Sequence, residues 1–159
     1  MSKLSTKHFI GLKDAKASDI QLIIDTALTF REVLDRPIKK IPSLKGKNIV
    51  NLFFENSTRT KLSFELAEKR LSADVLNFSA SSSSLNKGES LRDTVQNIQA
   101  MKIDCAVMRH PVPGSCLKLT KYLDCPIINA GDGTNEHPTQ AMLDITSIYE
   151  KFGKLKNLK

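Results

Sequence analysis

Four short segments carry residue types able to bind and polarise an anion, and each follows an apolar run of strand character. The first is Glu55-Asn56-Ser57-Thr58-Arg59-Thr60, which leads into a helical pattern. Hydroxyl side chains and the free N–H groups of a helix N-terminus form an anion cradle, and an arginine adds a planar fork for phosphate oxygens. The same residues also suit an ordinary hydroxyl cap beside a surface arginine. The second segment, residues 81–89, reads SSSSLNKGE. Its Lys87 has the reach and charge for a phosphate, while its composition alone describes a polar surface loop. The third, Arg109-His110-Pro111, puts a guanidinium at a strand end, where it addresses a bound carbonyl or phosphate. His110, next to a proline, reads as a turn residue. The fourth, residues 131–140, reads GDGTNEHPTQ. Two glycines free the backbone, Pro138 suits a first helical turn, and His137 stands where a helix dipole favours neutral imidazole. A histidine there is also a plain cap or core residue.

These groups cooperate only if one scaffold brings the four segments to one edge. Residues 18–35 repeat apolar positions at helical spacing, with Ser18 and Gln21 in a capping-box pattern. Pro37 and Pro42 then bracket a loop with little to bury. Beyond it, strand patterns at 48–54, 74–79, 104–110 and 126–130 alternate with helical patterns at 60–71, 90–101, 114–123 and 138–152. Such alternation predicts an α/β fold, a three-layer domain with a central parallel sheet flanked by helices. In that architecture ligands lie beyond the carboxyl ends of the strands, which is where all four segments fall.

Bulk composition narrows the classes. The chain has 159 residues, enough for one self-sufficient core. No apolar run approaches a membrane span, and the N-terminus MSKLSTKHFIGLKD lacks the apolar centre of a signal peptide, so a cytoplasmic location is expected. Cys105, Cys116 and Cys125 form no CxxC pair and match neither a disulfide framework nor a four-ligand zinc site; they read as buried, idle thiols. A net charge of +7 permits an anionic partner, but much of the excess sits in the Lys-rich stretch 151–159 and on expected helix faces. No aromatic residues interleave with a basic stripe, so nucleic acid is not the expected partner.

STRT, the SSSSLNKGE loop, RHP and AGDGTNEHPTQ occur in an order and spacing that resemble the carbamoyl-phosphate-binding half of aspartate carbamoyltransferase catalytic subunits. The resemblance spans essentially the whole chain. STRT and HPTQ are common to carbamoyltransferases, the ornithine enzymes included, whereas the Ser-rich loop ending in Lys-Gly-Glu and the AGDG approach resemble the aspartate branch. The resemblance implies that Ser57, Thr58, Arg59 and Thr60 hold the phosphate of carbamoyl phosphate. It places Thr60, Arg109 and His137 around the carbonyl oxygen and Gln140 at the carbamoyl amino group. It also implies that Ser83 and Lys87 reach the site of a neighbouring subunit in a homotrimer, the four serines leaving the register of Ser83 open. A regulatory chain is a further partner the family allows.

The reaction so implied needs an amine to attack a carbonyl carbon while phosphate departs, which calls for positioning and stabilisation of developing charge. No metal, cofactor or covalent nucleophile is required. Arg59, Thr60, Lys87, Arg109 and His137 are the expected catalytic set. Residues 1–159 are expected to be the carbamoyl-phosphate-binding domain alone, ending in KFGKLKNLK, which resembles the approach to the L-aspartate-binding domain. By itself such a chain is expected to make no N-carbamoyl-L-aspartate. Three rivals remain: a non-catalytic phosphate-anion-binding module of the same fold, another carbamoyltransferase such as an ornithine-type enzyme, and a basic domain whose nucleic-acid affinity falls steeply with salt.

Overall fold

The computed structural model describes residues 3–13, 15–79 and 91–158. Among these residues nine elements follow in order: α1 (Ala17–Leu34), β1 (Asn48–Phe53), α2 (Thr58–Arg70), β2 (Asp74–Ser79), α3 (Leu91–Ala100), β3 (Cys105–His110), α4 (Ser115–Leu119), β4 (Ile127–Asp132) and α5 (Pro138–Phe152). The strands form one parallel sheet in the order β2-β1-β3-β4. From β1 the chain steps outward to β2, then crosses back to β3 and β4. The strand order therefore reverses between β1 and β3, and a doubly wound sheet opens its ligand crevice at such a point.

Side-chain alternation along β1 divides the core. Val50 and Leu52 join Val95 and Ile98 of α3, Cys116 and Leu119 of α4, and Met108 and Ile127 on one face. Ile49 and Phe53 meet Val107, Ala130 and Phe64 of α2 on the other. The period-two pattern thus becomes two apolar layers, each covered by helices. Within the second layer, Asn51 Nδ2 donates to Glu68 Oε2 at 2.8 Å. Burial pushes the Glu68 carboxyl above the usual carboxylate range.

The capping box expected at Ser18 and Gln21 is not there. Lys16 caps α1 without a side-chain hydrogen bond, and its carbonyl accepts from Asp19 and Ile20 N–H. Ser18 therefore lies inside the first turn, and Gln21 bonds instead to Asp25 at 2.8 Å. The loop bracketed by Pro37 and Pro42 is also better tied than its composition suggests. Ile41 and Leu44 N–H donate to Arg70 and Leu71 carbonyls, each at 2.8 Å, and Leu44 packs on the second core layer.

Among the described residues no helix is long and apolar enough to cross a membrane. The three cysteines are free thiols, Cys116 and Cys125 buried and Cys105 half-buried. Burial pushes Cys105 and Cys116 up to about 12, which keeps both protonated and inert at neutral pH.

Candidate active site

At the carboxyl ends of β1 and β3, a cleft of about 700 Å³ is lined by Ser57, Arg59, Thr60, Arg109, His137 and Gln140. The first strand turns sharply into α2 at Ser57, the N-cap residue, whose φ of −151° and ψ of 86° are non-helical. Its hydroxyl makes no capping hydrogen bond. A plain hydroxyl cap is thereby set aside: the Ser57 side chain does not bond the opening amides of α2. Lining residues Thr60, Ser63, Phe64 and Ala67 follow at helical spacing on the face of α2 that looks into the cleft. Thr58 is exposed and does not line it.

Arg109 owes its placement to an irregularity of the sheet. Along β3 and β4 the register runs Met108 to Asn129 and then His110 to Asp132, so β4 carries one extra residue. Bulges of this kind re-aim side chains at sheet ends. Here the freed Ala130 carbonyl accepts from Arg109 Nη1 at 3.0 Å. Gly131 sits at φ +127°, and a Cβ there would come within 2.5 Å of Nη1, so only glycine lets the guanidinium lie across the bulge. Glu55 Oε1 stands 2.5 Å from Arg109 Nε. The angle of that contact does not make a hydrogen bond, and Nε remains a buried donor without an acceptor.

His137 is the N-cap of α5, with Pro138 at the first helical position. Its Nδ1 accepts from Gln140 N–H at 3.3 Å and lies 3.2 Å from Thr139 Oγ1. A nitrogen that accepts from an amide carries no proton, so neutral His137 bears its hydrogen on Nε2. Burial, and after it the Arg109 charge, hold the imidazole below the usual histidine range. Gln140 is exposed, and its amide donates to Asp144 Oδ1 at 3.0 Å. His110 does what its neighbouring proline suggests: Nδ1 accepts from Val112 N–H at 3.0 Å while the ring packs 5.1 Å from Phe54.

Four of the five expected catalytic side chains meet in one place. Arg59, Thr60, Arg109 and His137 converge from three loops, whereas Lys87, together with Ser83, lies outside the described residues. Two features escaped the sequence reading. Glu55 has no sequence signal, because nothing in its own segment marks it as the partner of an arginine more than fifty residues away. Ser63, Phe64 and Ala67 did carry a signal, the three- and four-residue spacing from Thr60.

The arrangement can bind a small dianion with an attached carbonyl: helix amides and Arg59 for the charge, Arg109 and neutral His137 as donors beside it. Among the described residues no group of His, Cys, Asp and Glu is placed to hold a metal.

The chain is similar to known proteins over nearly its whole length. The chain is 63% identical over 158 residues to the aspartate carbamoyltransferase catalytic subunit of Christiangramia forsetii, covering 99% of this chain and 51% of that one. It is 60% identical to the catalytic subunit of Cytophaga hutchinsonii, covering 100% and 52%. Aspartate transcarbamoylase from Trypanosoma cruzi in complex with carbamoyl phosphate superposes with a TM-score of 0.87 at 36% identity, covering 95% and 46%. The chain thus spans about half the length of the relatives it matches. Residues 7–150 match the family described as aspartate/ornithine carbamoyltransferase, carbamoyl-P binding domain, and the chain belongs to that family.

Proposed function

We propose that this chain is the carbamoyl-phosphate-binding half of an aspartate carbamoyltransferase, the enzyme that moves a carbamoyl group from carbamoyl phosphate to L-aspartate and releases phosphate. One observation carries the reading: Arg59 and Thr60 on α2 share a single cleft with Arg109 and His137 at the point where the strand order reverses. The two named bacterial relatives favour aspartate over ornithine as the amine.

The phosphate dianion sits on the opening amides of α2, with the Ser57 and Arg59 side chains around it and Thr58 contributing through its backbone N–H. Thr60, Arg109 and Nε2–H of His137 donate to the carbonyl oxygen and stabilise the charge that gathers there as the amine attacks. Gln140 contacts the carbamoyl amino group. Because His137 is held neutral, it donates this hydrogen bond without bringing a second full charge beside Arg109. Lys87 and Ser83 complete the site from a neighbouring subunit in a homotrimer. L-aspartate is held by a second domain of the longer enzyme, which works in the cytoplasm and in pyrimidine biosynthesis.

Calorimetric titration of this chain with carbamoyl phosphate, with inorganic phosphate as competitor and oligomeric state measured in the same buffer, tests the proposal. Saturable, phosphate-competed binding is expected. A trimer that binds nothing would refute the site, and turnover with ornithine but not aspartate in a full-length catalytic chain would move the reading to the ornithine branch. Binding without turnover in that full-length chain would identify a non-catalytic module.

A further inference from the structure

The segment 9–12 is remote in sequence from the cleft residues, yet it runs alongside β4. Phe9 bridges Ile128 in parallel: Phe9 N–H donates to Ile127 O at 2.8 Å and its carbonyl accepts from Asn129 N–H at 2.9 Å. The segment then continues past the carboxyl end of β4, where it meets the loop that leads to His137. Two side chains join strap and loop. Asn129, fully buried, donates from Nδ2 to Ile10 O at 2.8 Å and to Glu136 O at 3.4 Å, while its Oδ1 accepts from Gly131 N–H at 2.8 Å. Glu136, the residue before His137, accepts from Leu12 N–H at 2.8 Å through Oε2. Asp132 N–H donates to Glu136 O at 3.0 Å and closes the loop on itself.

We propose that Glu136 and Asn129 are positioning residues for the cleft: by clamping the loop of residues 131–137 to the N-terminal strap, they set where His137 presents its ring. An isolated loop with two glycines has many conformations, and restricting it costs entropy that these bonds offset before any ligand arrives. The fit is close. A Cβ on Gly11 would lie 2.7 Å from Glu136 Oε1, so the strap passes directly over the carboxylate.

The inference rests on the carbamoyl-phosphate reading for one of its two tests only. Ring-proton NMR of His137 reports position without any ligand. Among the described residues the charges that shift His137 are those of Arg109, Asp144 and Glu55. Glu136→Ala and Glu136→Gln remove the same charge, so a difference between them comes through geometry. Glu136→Ala is expected to release the loop, wet the ring, raise the His137 midpoint toward the ordinary value and weaken carbamoyl phosphate about fivefold. Glu136→Gln keeps an oxygen for Leu12 N–H and is expected to restore both. Gly11→Ala pushes the carboxylate aside without deleting it and is expected to act in the same direction, and it decides the matter should Glu136→Ala fail to fold. A folded Glu136→Ala, or Gly11→Ala in its place, with midpoint and affinity unchanged would overturn the proposal. If unaltered protein binds no carbamoyl phosphate, the functional reading fails while the NMR arm still tests the clamp.

Discussion

Two turns deliver helix N-termini to the same cleft, and they are built in opposite ways. The turn from β1 into α2 leaves the Ser57 hydroxyl without a capping bond, and its Thr58 and Arg59 side chains are exposed. The turn from β4 into α5 is nearly saturated. Asp132 accepts from Gly114 and Ser115 N–H at 2.9 and 3.2 Å and from Asn135 Nδ2 at 3.2 Å, and His137 caps its own helix. Open donors on one side and closed bonds on the other suggest a division of labour. On the proposed reading the α2 side is completed by its ligand, and the α5 side is organised by the protein beforehand. Substitutions of the exposed α2 side chains should then cost function with little stability, whereas removing the buried bonds that hold the α5 turn should cost stability.

The largest effect is expected at Arg59. In a full-length catalytic chain carrying this domain, Arg59→Ala should lower turnover about 10²–10³-fold, or ~2.7–4 kcal/mol of barrier, as removal of a charge-stabilising donor does. Because its side chain is exposed, unfolding in urea should shift by less than about 0.5 kcal/mol. Near-normal turnover would remove Arg59 from the machinery, and a large stability loss would erase the contrast between the turns.

Asp132→Ala should show the reverse. Asp132 is 1% exposed, and its loss strands the buried Ser115 amide and the half-buried Gly114 amide. A stability loss of about 1–3 kcal/mol is expected in urea titration. Carbamoyl phosphate binding should weaken only as far as the loop loosens. A variant as stable as the parent would show that the α5 turn is not held by this carboxylate.

The electrostatic link between the sides is testable at His137. Its folded-state value is lowered, so the imidazole contributes stability that is present above the unfolded value of about 6.5 and is lost as pH falls through the folded value. Arg109→Gln removes the second cause of the shift while burial remains. The His137 midpoint, followed by NMR, should rise part of the way back, and the acid-side loss of stability should move to higher pH and shrink. No movement would mean that the guanidinium does not act on the ring.

Much of this was legible beforehand because it is local. Short apolar runs rich in strand-favouring residues placed the four strands, and residues 138–152 read as the helix that forms as Pro138–Phe152. Gly131 and Gly133 were read correctly as residues that free the backbone, and both have positive φ. What stayed hidden depends on partners distant in sequence. The Ser18–Gln21 pattern looked like a cap, yet Lys16 is the cap residue and Ser5 bonds Asp19. The extra residue in β4 that aims Arg109 leaves no mark in AGDG beyond its glycines. The strap bonds, such as Leu12 to Glu136, join residues whose own neighbours say nothing about each other.

The smallest expected effect concerns Glu55, the acidic side chain paired with Arg109. Its carboxylate lies 2.5 Å from Nε in a pair with 22% and 28% side-chain exposure, without the alignment of a hydrogen bond. A dianion entering the cleft must share Arg109 with this carboxylate or displace it. Solvent screening limits what such a pair is worth to about 0.2–1 kcal/mol. Glu55→Gln should therefore tighten inorganic phosphate by no more than a few-fold, with the gain fading at high salt. A weaker site would mean instead that Glu55 orients Arg109 for its ligand. The α2 turn would then be organised in advance like the α5 turn, and the difference between them would be one of degree.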